Sequence, residues 1–150
     1  MPPAHPVSAS VHVCTPTRRE KPTVCARSRS TDRAHTVPMR PNSVVHAAAL
    51  DLDHKPVPAR QIVDGAPTTA LEVLTELNGI EVGVWEMSTG GMRDLEADEV
   101  FVVLSGSARV EFADGSRALE LGPGDVARIE AGAKTVWTVT ETLRKVYVTG

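Results

Sequence analysis

The chain has 150 residues, with 16 Lys/Arg against 19 Asp/Glu and a formal net charge of −3. That length suits one domain, and no apolar run approaches the roughly 20 residues that a membrane-spanning helix needs. Residues 1–40 hold seven Lys/Arg against Glu20 and Asp32, leaving nine basic and 17 acidic residues in 41–150, so the charge of the folded part argues against a nucleic-acid surface.

Residues 1–40 are rich in Pro, Ser, Thr and Arg and show no periodic apolar face. Such a stretch cannot bury enough surface to offset its ordering entropy, and reads as a disordered extension or a start mis-assigned upstream of Met39. Cys14 and Cys25 lie there without partners at zinc-finger spacing, which reads as exposed thiols. The rest of the chain has no cysteine, which is compatible with a cytoplasmic location. The second part, 41–150, begins with an arm that contains Ala47-Ala48-Ala49 and then Pro56 and Pro58, read as a helical turn or a strand against the main body. Ala70 to Leu77 alternates in the manner of a strand. Asn78-Gly79 is the preferred pair of a type I′ turn, and Ile80 to Met87 returns as its partner. Ser88-Thr89-Gly90-Gly91 reads as a flexible loop into the acidic segment Asp94 to Glu99.

The central stretch has the strongest pattern. Val100 to Leu104 is a β-branched and aromatic run that ends at Ser105-Gly106. Ala108 to Phe112 leads to Asp114-Gly115, and Arg117 to Leu121 leads to Gly122-Pro123-Gly124-Asp125. These read as three strands of an antiparallel meander. Val126 to Ile129, Thr135 to Val139 and Leu143 to Val148 add three more. At least eight short strands bounded by Gly, Pro and Asp predict an all-β sandwich or barrel.

Glu99 followed after six residues by Gly106 is similar to the end of the first cupin motif. Gly124-Asp125-Val126 with Ala131-Gly132 is similar to the frame of the second. With Gly83-Val84-Trp85-Glu86 upstream, Trp137, and the closing Leu143 to Val148, residues 60–150 resemble the small single-domain cupins grouped with the ureidoglycine aminohydrolase cupin domain. The resemblance implies a double-stranded β-helix, or jelly-roll barrel, and a homodimer. Glu130, where Pro is common, and Gly90-Gly91, where Pro-Gly is common, depart from the pattern.

The cupin metal site ordinarily uses two His as H-x-H, a Glu and a second-motif His. Aligned on Glu99, these positions fall at Arg93 and Leu95, or at Met92 and Asp94, and at Thr135. All five histidines (His5, His12, His35, His46, His54) precede residue 55. Imidazole is the usual ligand for Zn, Fe, Ni and Cu, so no such metal and no other cofactor is expected. An oxygen-only Mg or Ca site on Asp94, Glu96, Asp98 and Glu99 would be the alternative; the acidic stretch reads instead as a solvated loop.

Strand parity aims Glu99, Phe101 and Val103 inward, with Thr135, Trp137 and Val139 as the matching row. Trp85, Lys145 and Tyr147 share inward faces by the same argument. A buried Glu99 needs a counter-cation, for which Lys145 and Arg93 are the candidates. The expected ligand-binding set is Trp85, Arg93, Glu99, Phe101, Thr135, Trp137, Lys145 and Tyr147. It suits a small polar metabolite. The enzymatic alternative is a metal-independent hydrolase or isomerase with Glu99, Tyr147 or Lys145 as its catalytic groups. A structural or dimerising module is the third reading.

Overall fold

The computed structural model describes residues 39–150, and the expectations for residues 1–38 lie outside the described residues. Among the described residues, nine strands follow a 3₁₀ turn at Ala47–Ala49: β1 Lys55–Pro56, β2 Ile62–Asp64, β3 Thr68–Leu77, β4 Ile80–Met87, β5 Gly90–Leu95, β6 Glu99–Phe112, β7 Leu119–Leu121, β8 Val126–Ile129 and β9 Lys134–Thr149. All belong to one curled antiparallel sheet, a jelly-roll barrel.

Two long strands dominate. The first part of β9 pairs with β5 on one side and with the second half of β6 on the other. Its last part pairs with β4 and with the first half of β6. This corrects the expected meander: residues 100–104 and 108–112 are one strand rather than two, and residues 135–139 and 143–148 likewise belong to one. Ser105-Gly106 is not a turn but a bulged stretch, with register shifts between Val103 and Ala108 and Gly106 at φ +86°. A bulge bends a strand without ending it. A Cβ at Gly106 would overlap the Thr142 carbonyl, so this crossing of β6 and β9 needs glycine.

The Asn78-Gly79 hairpin forms as expected, with both residues at positive φ. The loop expected over Ser88–Gly91 is shorter, because Gly90 and Gly91 already pair with Val139 and Thr138. The arm 39–56 uses both of its expected elements. It lies on the outside of the sheet: Met39 donates to the Leu74 carbonyl (2.8 Å), and Arg144 Nη1 donates to the carbonyls of Ala47 (3.0 Å) and Leu50 (2.8 Å). His54 bonds Glu86 (2.8 Å) on this outer face, and Glu86 also pairs with Arg144. Inside the barrel, Met87, Phe101, Val103, Val110, Ile129, Trp137 and Leu143 form the fully buried core.

Candidate functional site

Alternation along three neighbouring strands builds the site. β4, β9 and β6 lie side by side, with Trp85 opposite Lys145, Gly83 opposite Tyr147, Phe101 opposite Tyr147 and Val103 opposite Lys145. The inward residues of each strand meet at one end of the barrel, where a recess of about 270 Å³ opens. Trp85, Glu99, Trp137, Lys145 and Tyr147 line it, together with Leu71, Glu81, Asp94 and Glu96.

Lys145 forms the floor. The residue is 4% exposed, and its ammonium is paired with the largely covered Glu99 carboxylate, whose side chain is 11% exposed. The same nitrogen lies 4.2 Å from the centre of the Phe101 ring and 4.9 Å from those of Trp85 and Trp137. Three aromatic faces and one carboxylate therefore replace the water that a lysine normally keeps. The rings also pack on one another: Trp85–Trp137 centroids are 5.6 Å apart and Phe101–Trp137 centroids 6.0 Å.

The sequence pattern puts Glu96 on a solvated loop, and the structure corrects this. The backbone just after β5 is clamped by Glu96 N–H to the Ala133 carbonyl and by Gly132 N–H to the Glu96 carbonyl, both 2.9 Å. The clamp turns the side chain inward. Glu96 Oε1 accepts from Trp137 Nε1 (2.8 Å) and from the buried Thr135 hydroxyl. Tyr147 donates to Glu81 Oε1 (2.7 Å), and its ring lies over Gly83, where any Cβ would collide with it. Burial and the Glu81 carboxylate both push the Tyr147 phenol well above its ordinary range. Burial likewise raises the Asp94 carboxyl; the Leu95 amide bond opposes this, Glu96 adds to it and Lys145 opposes it.

Of the eight expected residues, five line the recess. Phe101 and Thr135 stand behind its wall, in contact with Lys145 and Glu96 respectively. Arg93 does not join them. It is exposed and borders a separate depression with Arg60, Phe112 and Lys134, so among the described residues Lys145 is the ion-pair partner of Glu99. Sequence reasoning passed over Glu81, Asp94 and Glu96 as ligand contacts. The available signal, for Asp94 alone, was its shared parity with Met92 on the strand entering the acidic segment; Glu96 lies past the end of β5, where parity no longer sets direction.

The donor set does not fit the metal centre that cupins ordinarily carry. No imidazole among the described residues faces the recess, its central carboxylate is bonded to an ammonium, and His54 bonds Glu86 on the outer wall. Among the described residues no three His, Cys, Asp or Glu side chains group as metal ligands.

A jelly-roll barrel with an inward-facing site at one mouth defines the cupin class. Residues 74–147 match the family model of the EutQ-like cupin domain, so over that stretch the chain is similar to this family. Solved structures agree on the fold. The EutQ protein of Clostridium difficile is 18% identical with TM-score 0.54, covering 71% of this chain and 84% of that one. A cupin superfamily protein from Desulfitobacterium hafniense is 11% identical with TM-score 0.52, covering 76% and 94%. A DUF861-family protein of Pseudomonas syringae is 21% identical with TM-score 0.55, covering 68% and 45%. No curated protein matches the sequence.

Proposed function

We propose that this cupin domain is a binding module for a small polar metabolite, held in the barrel mouth without a transition metal. The observation that carries this reading is the recess of about 270 Å³ with Trp85, Trp137 and Tyr147 on its walls and the Lys145–Glu99 pair fixed at its base. Aromatic walls with a few oriented polar groups are the usual composition of a small-ligand site, and the volume suits a ligand of few heavy atoms.

The enzymatic alternative, with the hydrolytic chemistry of ureidoglycine aminohydrolases, has less support. Glu99 is engaged by Lys145, and the raised phenol of Tyr147 is a poor acid or base near neutrality. A homodimer, paired through an exposed valine face of the barrel, completes the proposal.

Trp85 and Trp137 are the only two tryptophans in the chain, so intrinsic emission reports this recess directly. Titration with a metabolite panel should give a saturable emission change and a raised melting temperature, both weakened in Trp85→Ala. A panel spanning cations, neutral polyols and acids that leaves both signals flat would sink the binding reading. Elemental analysis of the purified chain should show far less than stoichiometric Fe, Mn, Ni or Zn, and a stoichiometric metal would sink the metal-free part.

A further inference from the structure

We infer that the recess selects a cationic hydrogen-bond donor, a small amine or guanidine, and rejects carboxylates and phosphates; this deepens the binding reading above and rests on it. Among the described residues, the only cation lining the recess is already satisfied. Lys145 gives its ammonium to Glu99, and its other sides face the rings of Trp85, Phe101 and Trp137 at 4.2–4.9 Å. An incoming anion would have to break this arrangement to find a donor.

The Thr135, Trp137 and Tyr147 donors are also spent on the protein's own carboxylates. Thr135 and Trp137 donate to Glu96 Oε1, and Tyr147 donates to Glu81 Oε1. Each carboxylate is thereby held in place by one oxygen, while Glu96 Oε2 and Glu81 Oε2 have no hydrogen-bond partner among the described residues. They stand as fixed acceptors on the walls of a small cavity. Fixing the acceptors in advance lowers the cost of binding a donor.

Glu81, Asp94, Glu96 and Glu99 line the recess against Lys145. In a narrow, partly desolvated site this field attracts a cation and repels an anion. The raised proton affinity of Asp94 is in accord, since a buried carboxylate that no cation fully compensates holds its proton more tightly.

The experiment uses three probes that share one carbon backbone: putrescine, butanediol and succinate. Tryptophan emission and melting temperature are read for the full chain. Putrescine should bind at least about tenfold more tightly than succinate, as expected for one charge-assisted hydrogen bond gained against one repulsion. Glu96→Gln keeps an acceptor for Trp137 but removes the charge. It should weaken putrescine about tenfold and affect the uncharged butanediol less. Glu81→Gln gives the same readout from another strand should the first variant fold poorly. Tighter binding of succinate overturns the charge assignment while leaving the binding reading intact. A flat response to all three probes overturns this inference, whereas the broader panel decides the binding reading separately. Putrescine binding that neither variant changes also overturns the assignment.

Discussion

Glu99 and Lys145 neutralise each other in a part of the barrel where neither could stand alone. Removing one partner of a buried pair leaves an uncompensated charge, so Glu99→Ala and Lys145→Met should each destabilise the domain by about 3–5 kcal/mol in urea denaturation. Glu99→Met combined with Lys145→Met should recover most of that loss, because well-packed apolar groups often replace a buried ion pair at little cost. Single variants as stable as the parent would show that the pair is solvated. Glu96→Ala strips partners from Thr135 and Trp137, and should cost about 1–3 kcal/mol rather than the near-zero effect of a surface loop. Tyr147 is the only tyrosine, so alkaline titration followed in the ultraviolet reads it without interference. Its folded pKa is raised, so its stabilising contribution is complete below the ordinary phenol value of about 10 and is lost as pH rises above it. A native phenol that ionises at the ordinary value would contradict the buried Tyr147–Glu81 bond. Glu99, Lys145 and Tyr147 were legible in the sequence because strand parity depends only on counting. Arg93 and Glu96 were not, because their orientation is set by pairing with β9 and by the backbone clamp to Ala133, some 40 residues away in sequence.

At the scale of elements, the strands were legible and their continuity was not. Hydrophobic runs and Asn-Gly or Asp-Gly turns mark where β3, β4, β7 and β8 lie, since those signals are local. Ser105-Gly106 and Thr140-Glu141-Thr142 look like the same kind of punctuation, yet β6 and β9 pass straight through them. A bulge and a turn use the same residues, and only the partner strand distinguishes them. The distinction can be tested with two glycines of nearly equal φ. Gly106 (+86°) faces the Thr142 backbone, whereas a methyl group at Gly115 (+79°), in the β6–β7 turn, would meet nothing within 4 Å. Gly115→Ala should cost only the left-handed conformational penalty, about 1–2 kcal/mol. Gly106→Ala adds a backbone collision that cannot relax by side-chain rotation, and should exceed about 3 kcal/mol. Equal losses in denaturant would mean that β6 does turn at Gly106.

For the whole molecule, the outer face of the barrel is divided in two. One part carries the arm 39–56, held by Arg144 and by His54–Glu86. The other presents an apolar surface. Val100 lies opposite Val148 on one side and the exposed Arg128 on the other, Val102 opposite both Val126 and Val146, and Val82 opposite Val148, so the valine side chains adjoin across four strands with Arg128 at their margin. Val100, Val102, Val126 and Val148 are 38–68% exposed, and Ile80 and Leu77 extend the row at the hairpin. Directly opposed residues on one face of a sheet lie within contact distance, so this is a continuous patch rather than scattered apolar residues. Patches of that kind mark association surfaces. A second copy of the chain is the occupant proposed, since an apolar face can meet the same face of another copy under two-fold symmetry, each valine row against its own counterpart. Sedimentation at micromolar concentration should therefore give a dimer, and Val102→Lys with Val126→Lys should give a monomer by placing like charges face to face. Both substitutions fall on exposed positions, so the melting temperature of the monomer should drop only by what dimerisation contributed. A parent chain that sediments as a monomer, or a double variant that remains dimeric, would remove this face from consideration.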